Sequence, residues 1–70
     1  MKYAVIIEEG EKSFGAYVPD LPGCIAAGET REEVVKLIQE AIELHINGLK
    51  KEGIPIPRPT SSVDFVDVAA

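Results

Sequence analysis

Three kinds of side chain in this 70-residue sequence could carry chemistry: one histidine, His45, one cysteine, Cys24, and a dispersed set of carboxylates. An imidazole on an apolar helical face can be desolvated and tuned as a general base. His45 projects to the centre of such a face, where the commoner arrangement is a buried ring hydrogen-bonded to a backbone carbonyl. Cys24 and His45 would make a thiolate pair if folding joined them. No third residue is evident to orient the imidazole, so a small core cysteine is the plainer reading. Asp20, Asp64 and Asp67, with Glu8 and Glu9, are numerous enough for a divalent-metal site of the nuclease type. Yet Asp64 and Asp67 differ in strand parity, and Asp20 falls in a turn, where aspartate commonly bonds its own backbone. Solvated loop and strand-edge acids are the expectation. Gly10, Gly15, Gly23 and Gly28 stand singly rather than grouped before a helix, so no phosphate loop is read. No catalytic, cofactor-binding or metal-ligating residue is assigned.

Composition narrows the partners. Seventy residues with 46% hydrophobic content make one domain, 1–70. A chain this short buries only about 60% of its unfolded surface, so it needs added support. Cys24 alone cannot make an intrachain disulfide, and the spacing of a structural zinc site is absent. Self-association into a dimer or tetramer is the remaining source. A net charge of −5, with seven Lys and Arg scattered except at Lys50 and Lys51, disfavours a nucleic-acid surface. It favours a basic partner, because complementary fields speed encounter. No apolar run approaches the roughly 20 residues of a membrane span, and the first apolar stretch is too short for a signal peptide. A cytoplasmic protein is expected.

The elements follow from periodicity. Tyr3, Val5 and Ile7 alternate with Ala4, Ile6 and Glu8, which predicts a strand over about 2–9 with apolar residues on both faces. A polar connection, Glu9 to Ser13, returns the chain antiparallel over about 13–19, with Phe14, Ala16 and Val18 on one face. Pro19 ends that run, and Pro22 with Gly23 reverses the chain. A third short strand, about 24–28, follows; its small residues Ala26, Ala27 and Gly28 let a helix sit close. Thr30 with Glu33 fits the T-x-x-E capping box of a helix over about 31–52. Val34, Leu37, Ile38, Ala41, Ile42, His45 and Leu49 form its apolar face, and Gly53 its natural end. The proline-rich connector 54–59 carries the chain to a last strand over about 62–68, where a slip between Phe65 and Val66 implies a bulge or burial on both faces. The fold class is α+β, a two-layer βββαβ arrangement whose antiparallel sheet is covered on one face by a single helix. Tyr3, Val5, Tyr17 and Ile25 differ in parity, so apolar residues remain on the uncovered face, and such patches mark association surfaces.

Two places suit a partner. The turn Asp20, Leu21, Pro22 and Gly23 is a rigid loop that presents a preorganised surface. The acids Glu33, Glu40 and Glu43 form a helix face that suits a basic protein.

The order of these motifs resembles a known family. A hairpin with Tyr3 near its start, then Tyr17-Val18-Pro19-Asp20-Leu21-Pro22-Gly23-Cys24, then Gly28-Glu29-Thr30 opening an acidic helix with Ala41, is similar to the HicB antitoxins over nearly the whole chain. The resemblance implies a βββαβ fold, described as a partial ribonuclease H fold. It also implies a partner, HicA, a small basic ribonuclease that cleaves mRNA and whose active site the antitoxin covers. Many members carry a further C-terminal domain that binds operator DNA. No such domain is read after Val68, so direct nucleic-acid binding is not expected of this chain. Two other readings stay open: a solitary oligomeric regulatory domain without a toxin, and a small metal-dependent nuclease.

Overall fold

A computed structural model describes residues 1–69, and its helix begins where a hydroxyl can cap it. Thr30 is extended, with φ −127° and ψ 161°, and its Oγ1 accepts a hydrogen bond from the Glu33 N–H at 3.1 Å. That bond satisfies one of the free amides that every helix start leaves over. Helix α1 then runs Arg31–Glu52, with Glu32 and Glu33 at the positive end of its dipole and Lys50 and Lys51 at the negative end. The return arm of the expected capping box is not made among the described residues. Instead the Glu33 side chain lies over Gly28, where a Cβ would stand 3.2 Å from Glu33 Cγ and Oε1 and from Val34 N. At the other end Gly53 takes φ 69°. Its N–H reaches the Lys50 carbonyl at 3.2 Å while the Ile54 N–H reaches that of Leu49 at 2.9 Å, a left-handed cap that glycine adopts without strain.

Three strands precede the helix: β1 (Ile6–Glu9), β2 (Phe14–Tyr17) and β3 (Ile25–Gly28), antiparallel in the order β1-β2-β3. Register puts Ile7, Ala16 and Ala26 in one cross-strand row and Ile6, Tyr17 and Ile25 in the next. Because successive side chains alternate, the first row faces the helix and the second faces away. The core is Ala16, Val18, Leu21, Cys24, Val34 and Ile38, with Tyr3, Val5, Ile7, Phe14, Ala26, Ala41 and Ile42 packed around it. Alanine at position 26 and glycine at position 28 let α1 ride closely over β3 and β2.

The described residues form an α+β fold of three antiparallel strands followed by one helix. The strands are shorter than periodicity predicts. Pro19 has no N–H, and the Val18 N–H turns inward to the Cys24 carbonyl at 3.2 Å. Residues 2–5 therefore have no β2 backbone left to pair with, and β1 starts at Ile6. The last strand expected over 62–68 is not formed, nor is its bulge. Phe65 is 92% exposed and Val68 80%, so the segment is extended without a neighbouring ladder. The open sheet face does keep apolar side chains, Tyr17 and Ile25, whereas Tyr3 and Val5 pack toward the helix side.

Candidate partner-binding surface

The loop between β2 and β3 is two β-turns in series. The Leu21 N–H donates to the Val18 carbonyl at 3.1 Å and the Cys24 N–H to the Leu21 carbonyl at 3.0 Å. Pro19 and Pro22 each occupy the second position of a turn, where their fixed φ is already correct. Gly23 holds the third position of the second turn at φ 85°, the left-handed value that a type II turn requires. Between the turns the Leu21 side chain points inward and is completely enclosed. Leu21 was expected at a partner contact; its burial assigns it to the core. Pro22 and Gly23 stay exposed at the tip.

Asp20 departs from the turn contact expected of it. Its carboxylate bonds not its own turn but a segment forty residues away. Oδ2 accepts from the Thr60 and Ser61 N–H groups, both at 3.0 Å. Oδ1 accepts from the Thr60 and Ser61 hydroxyls, at 3.0 and 2.9 Å. Four donors favour the charged form. The Ser61 N–H bond above all, against some opposing desolvation, holds the Asp20 carboxyl below its ordinary value of 3.8. A second tie comes from the Tyr3 hydroxyl, which donates to the Pro57 carbonyl. Together they lash the proline-rich strap to the end of the sheet. The available signal was the hydroxyl run Thr60-Ser61-Ser62 directly after three spaced prolines, a set of donors awaiting one acceptor.

Glu33, Glu40 and Glu43 are exposed on α1. Their spacing of seven and three residues places them within about one quarter turn of a common line. Glu43 also reaches the rim of a groove of about 360 Å³, walled by Tyr3, Val5 and Ile7 on one side and Val35, Ile38 and Ile42 on the other. The groove exists because α1 sits over β3 and β2 and leaves the inner side of β1 uncovered. Neither Glu33 nor Glu40 lines it, and no residue of the Asp20–Gly23 turn does. The two expected contact regions are therefore separate, and the groove beside β1 is an additional surface.

The other chemistry-bearing groups are not gathered. Cys24 is buried at the mouth of β3, and burial raises its thiol pKa, away from the reactive thiolate. His45 is half-buried on α1 and lines neither of the two open grooves. Among the described residues no three His, Cys, Asp or Glu side chains lie close enough to hold a metal ion. None of their helices is long and apolar enough to cross a membrane.

Comparison with known proteins places this arrangement. Residues 3–69 match the family described as HicB_like antitoxin of bacterial toxin-antitoxin system. A UPF0150 protein of Thermoplasma acidophilum is 46% identical over 59 residues, covering 83% of this chain and 86% of the relative. Antitoxin HicB 2 of Photorhabdus laumondii is 31% identical over 71 residues; the match covers 100% of this chain but only 51% of that protein. Among solved structures, a chain of a HicA3 and HicB3 toxin-antitoxin complex superposes with a TM-score of 0.72 at 37% identity. That match covers 86% of this chain and 70% of the other.

Proposed function

Because the chain belongs to the HicB-like antitoxin family, we propose that it binds a HicA-type ribonuclease and inhibits it by covering its active site. The observation that carries this reading is the likeness, 0.72 in TM-score and 37% in identity, to a chain from a HicA3 and HicB3 complex. Charge supports it: at −5 the chain attracts a basic, RNA-binding partner and repels RNA itself. The action proposed is binding, not catalysis, and it takes place in the cytoplasm where mRNA is cleaved. Glu33, Glu40 and Glu43 supply the acidic contact, the groove beside β1 the apolar one, and Pro22 with Gly23 a separate rigid contact. Asp20 serves by holding the strap and does not itself meet the toxin.

Calorimetry with a HicA-type ribonuclease tests the proposal, alongside rescue of cells expressing that ribonuclease. Binding that weakens with added salt is expected. Replacing Glu33, Glu40 and Glu43 together by lysine should cost roughly 10- to 100-fold in affinity, the scale for three rim charges. Absence of binding to any such ribonuclease overturns the reading. Full affinity in the triple variant overturns the acidic face as its contact.

A further inference from the structure

The groove beside β1 has one firm wall and one that lacks full backbone support. Its far wall, Val35, Ile38 and Ile42, stands on α1, and Ile7 of the near wall is held in the β1 ladder. Tyr3 and Val5, which complete the near wall, precede the first paired residue, Ile6. Both touch the core, but apolar contact sets no direction. The Tyr3 hydroxyl does, by donating to the carbonyl of Pro57 on the strap. The position of that carbonyl is set from both ends of the strap. At one end the Ile54 N–H caps α1 on the Leu49 carbonyl at 2.9 Å. At the other the Asp20 carboxylate accepts four hydrogen bonds from Thr60 and Ser61, each at 2.9 or 3.0 Å. Between them Pro55, Pro57 and Pro59 fix φ at every second position, and Ile54, Ile56 and Arg58, each before a proline, are biased to extended backbone. A strap this stiff carries a displacement along its length, where a Gly/Ser linker would absorb it. Of residues 54–61 only Ile56 and Pro59 are even half-buried, so little packing could replace these ties.

We propose that the strap sets the shape of this groove: clamped by Asp20, it presents the Pro57 carbonyl to Tyr3 and holds the near wall in place, and unclamped, it lets that wall loosen. Asp20 and Tyr3 are then positioning residues, Asp20 from outside the groove and Tyr3 from its lining. The path is short and continuous, from the Asp20 carboxylate through residues 57–61 to the Tyr3 hydroxyl and on to Val5. The consequence for inhibition rests on the groove being the toxin's apolar contact; the coupling itself belongs to the free chain.

Methyl and aromatic NMR of the uncomplexed chain tests the coupling. Asp20→Ala removes all four acceptor contacts, and it should move the Val5 methyl and Tyr3 ring resonances while leaving those of Val35 and Ile42 on α1 near their parent positions. Asp20→Asn keeps one carbonyl oxygen and should give a smaller change of the same sign. In a Tyr3→Phe background the Val5 resonances should no longer respond to Asp20→Ala, because the link through Pro57 is gone; a response due to mere proximity would persist. In calorimetry with a HicA-type ribonuclease, Tyr3→Phe and Asp20→Ala should each weaken binding roughly 2- to 10-fold, the worth of one hydrogen bond. Because both act through one strap, the double variant should bind no more weakly than the weaker single one. Val5 resonances that ignore Asp20→Ala, or that respond equally in the Tyr3→Phe background, overturn the proposal, as do additive losses of affinity. Complete absence of ribonuclease binding overturns the functional reading instead, and the resonances of the free chain still decide the coupling.

Discussion

Replacing Leu21 by alanine asks whether the β2–β3 loop is a contact or a plug. Leu21 has no solvent exposure, and it sits between two turns closed at 3.1 and 3.0 Å. Truncation to alanine removes three buried carbons, about 2.4 kcal/mol at 0.8 kcal/mol each. A cavity term follows unless the surroundings collapse, and Pro19 and Pro22 resist collapse by fixing the loop backbone. The total should fall at about 3–5 kcal/mol. A 70-residue domain has roughly 4–10 kcal/mol in all, so the variant loses a large share of its stability. Its thermal midpoint should drop by roughly 20–35 °C. Urea denaturation followed by circular dichroism, at fixed protein concentration, measures the loss. A loss below about 1 kcal/mol would refute the argument, since an enclosed leucine cannot be removed so cheaply. It would return Leu21 to the candidate contacts.

Thr30→Ala removes the oxygen that accepts the Glu33 N–H and should cost about 1 kcal/mol in thermal or chemical unfolding. Gly53→Ala places a Cβ at φ 69°, and about 1–2 kcal/mol is expected, read as fraying of the last helical turn in amide exchange. The Asp20 clamp predicts a pH response of defined sign. Its folded pKa lies below the ordinary 3.8, so its contribution is complete above that value and is lost as pH falls through the lower folded one. The Thr60 and Ser61 amide resonances should titrate in that acid range, and Asp20→Asn should abolish the titration while loosening the strap at neutral pH.

Local rules were sufficient wherever one residue decides the outcome. The Thr30 cap, the Gly53 stop, the paired prolines and the parity of Phe14, Ala16 and Val18 were legible because each depends on neighbours within a few positions. Legibility ended where distant segments meet. That Asp20 would serve Thr60 and Ser61 rather than its own turn depends on where the strap crosses the sheet, and no local preference encodes that path. Leu21 looked like an exposed loop residue because its neighbours are turn-formers; only the closure of both turns directs its side chain inward. The last strand shows the same limit from the other side. Its composition is that of a strand, but composition cannot provide the partner, and the single chain does not.

These long-range arrangements share a cause in the size of the core. Among the described residues six are buried, and three of them, Val18, Leu21 and Cys24, come from the segment between β2 and β3 rather than from strands or helix. A domain with so little interior has to use its connections as packing, which is why the loop closes inward and the strap is tied by side chains. The same shortage leaves surface uncovered: the inner side of β1 beside α1, the outer face at Tyr17 and Ile25, and the segment after Ser61. Apolar surface left open on a marginal fold has one physical remedy, which is burial against another molecule. The acidic helix face and the groove at Glu43 suit a basic protein.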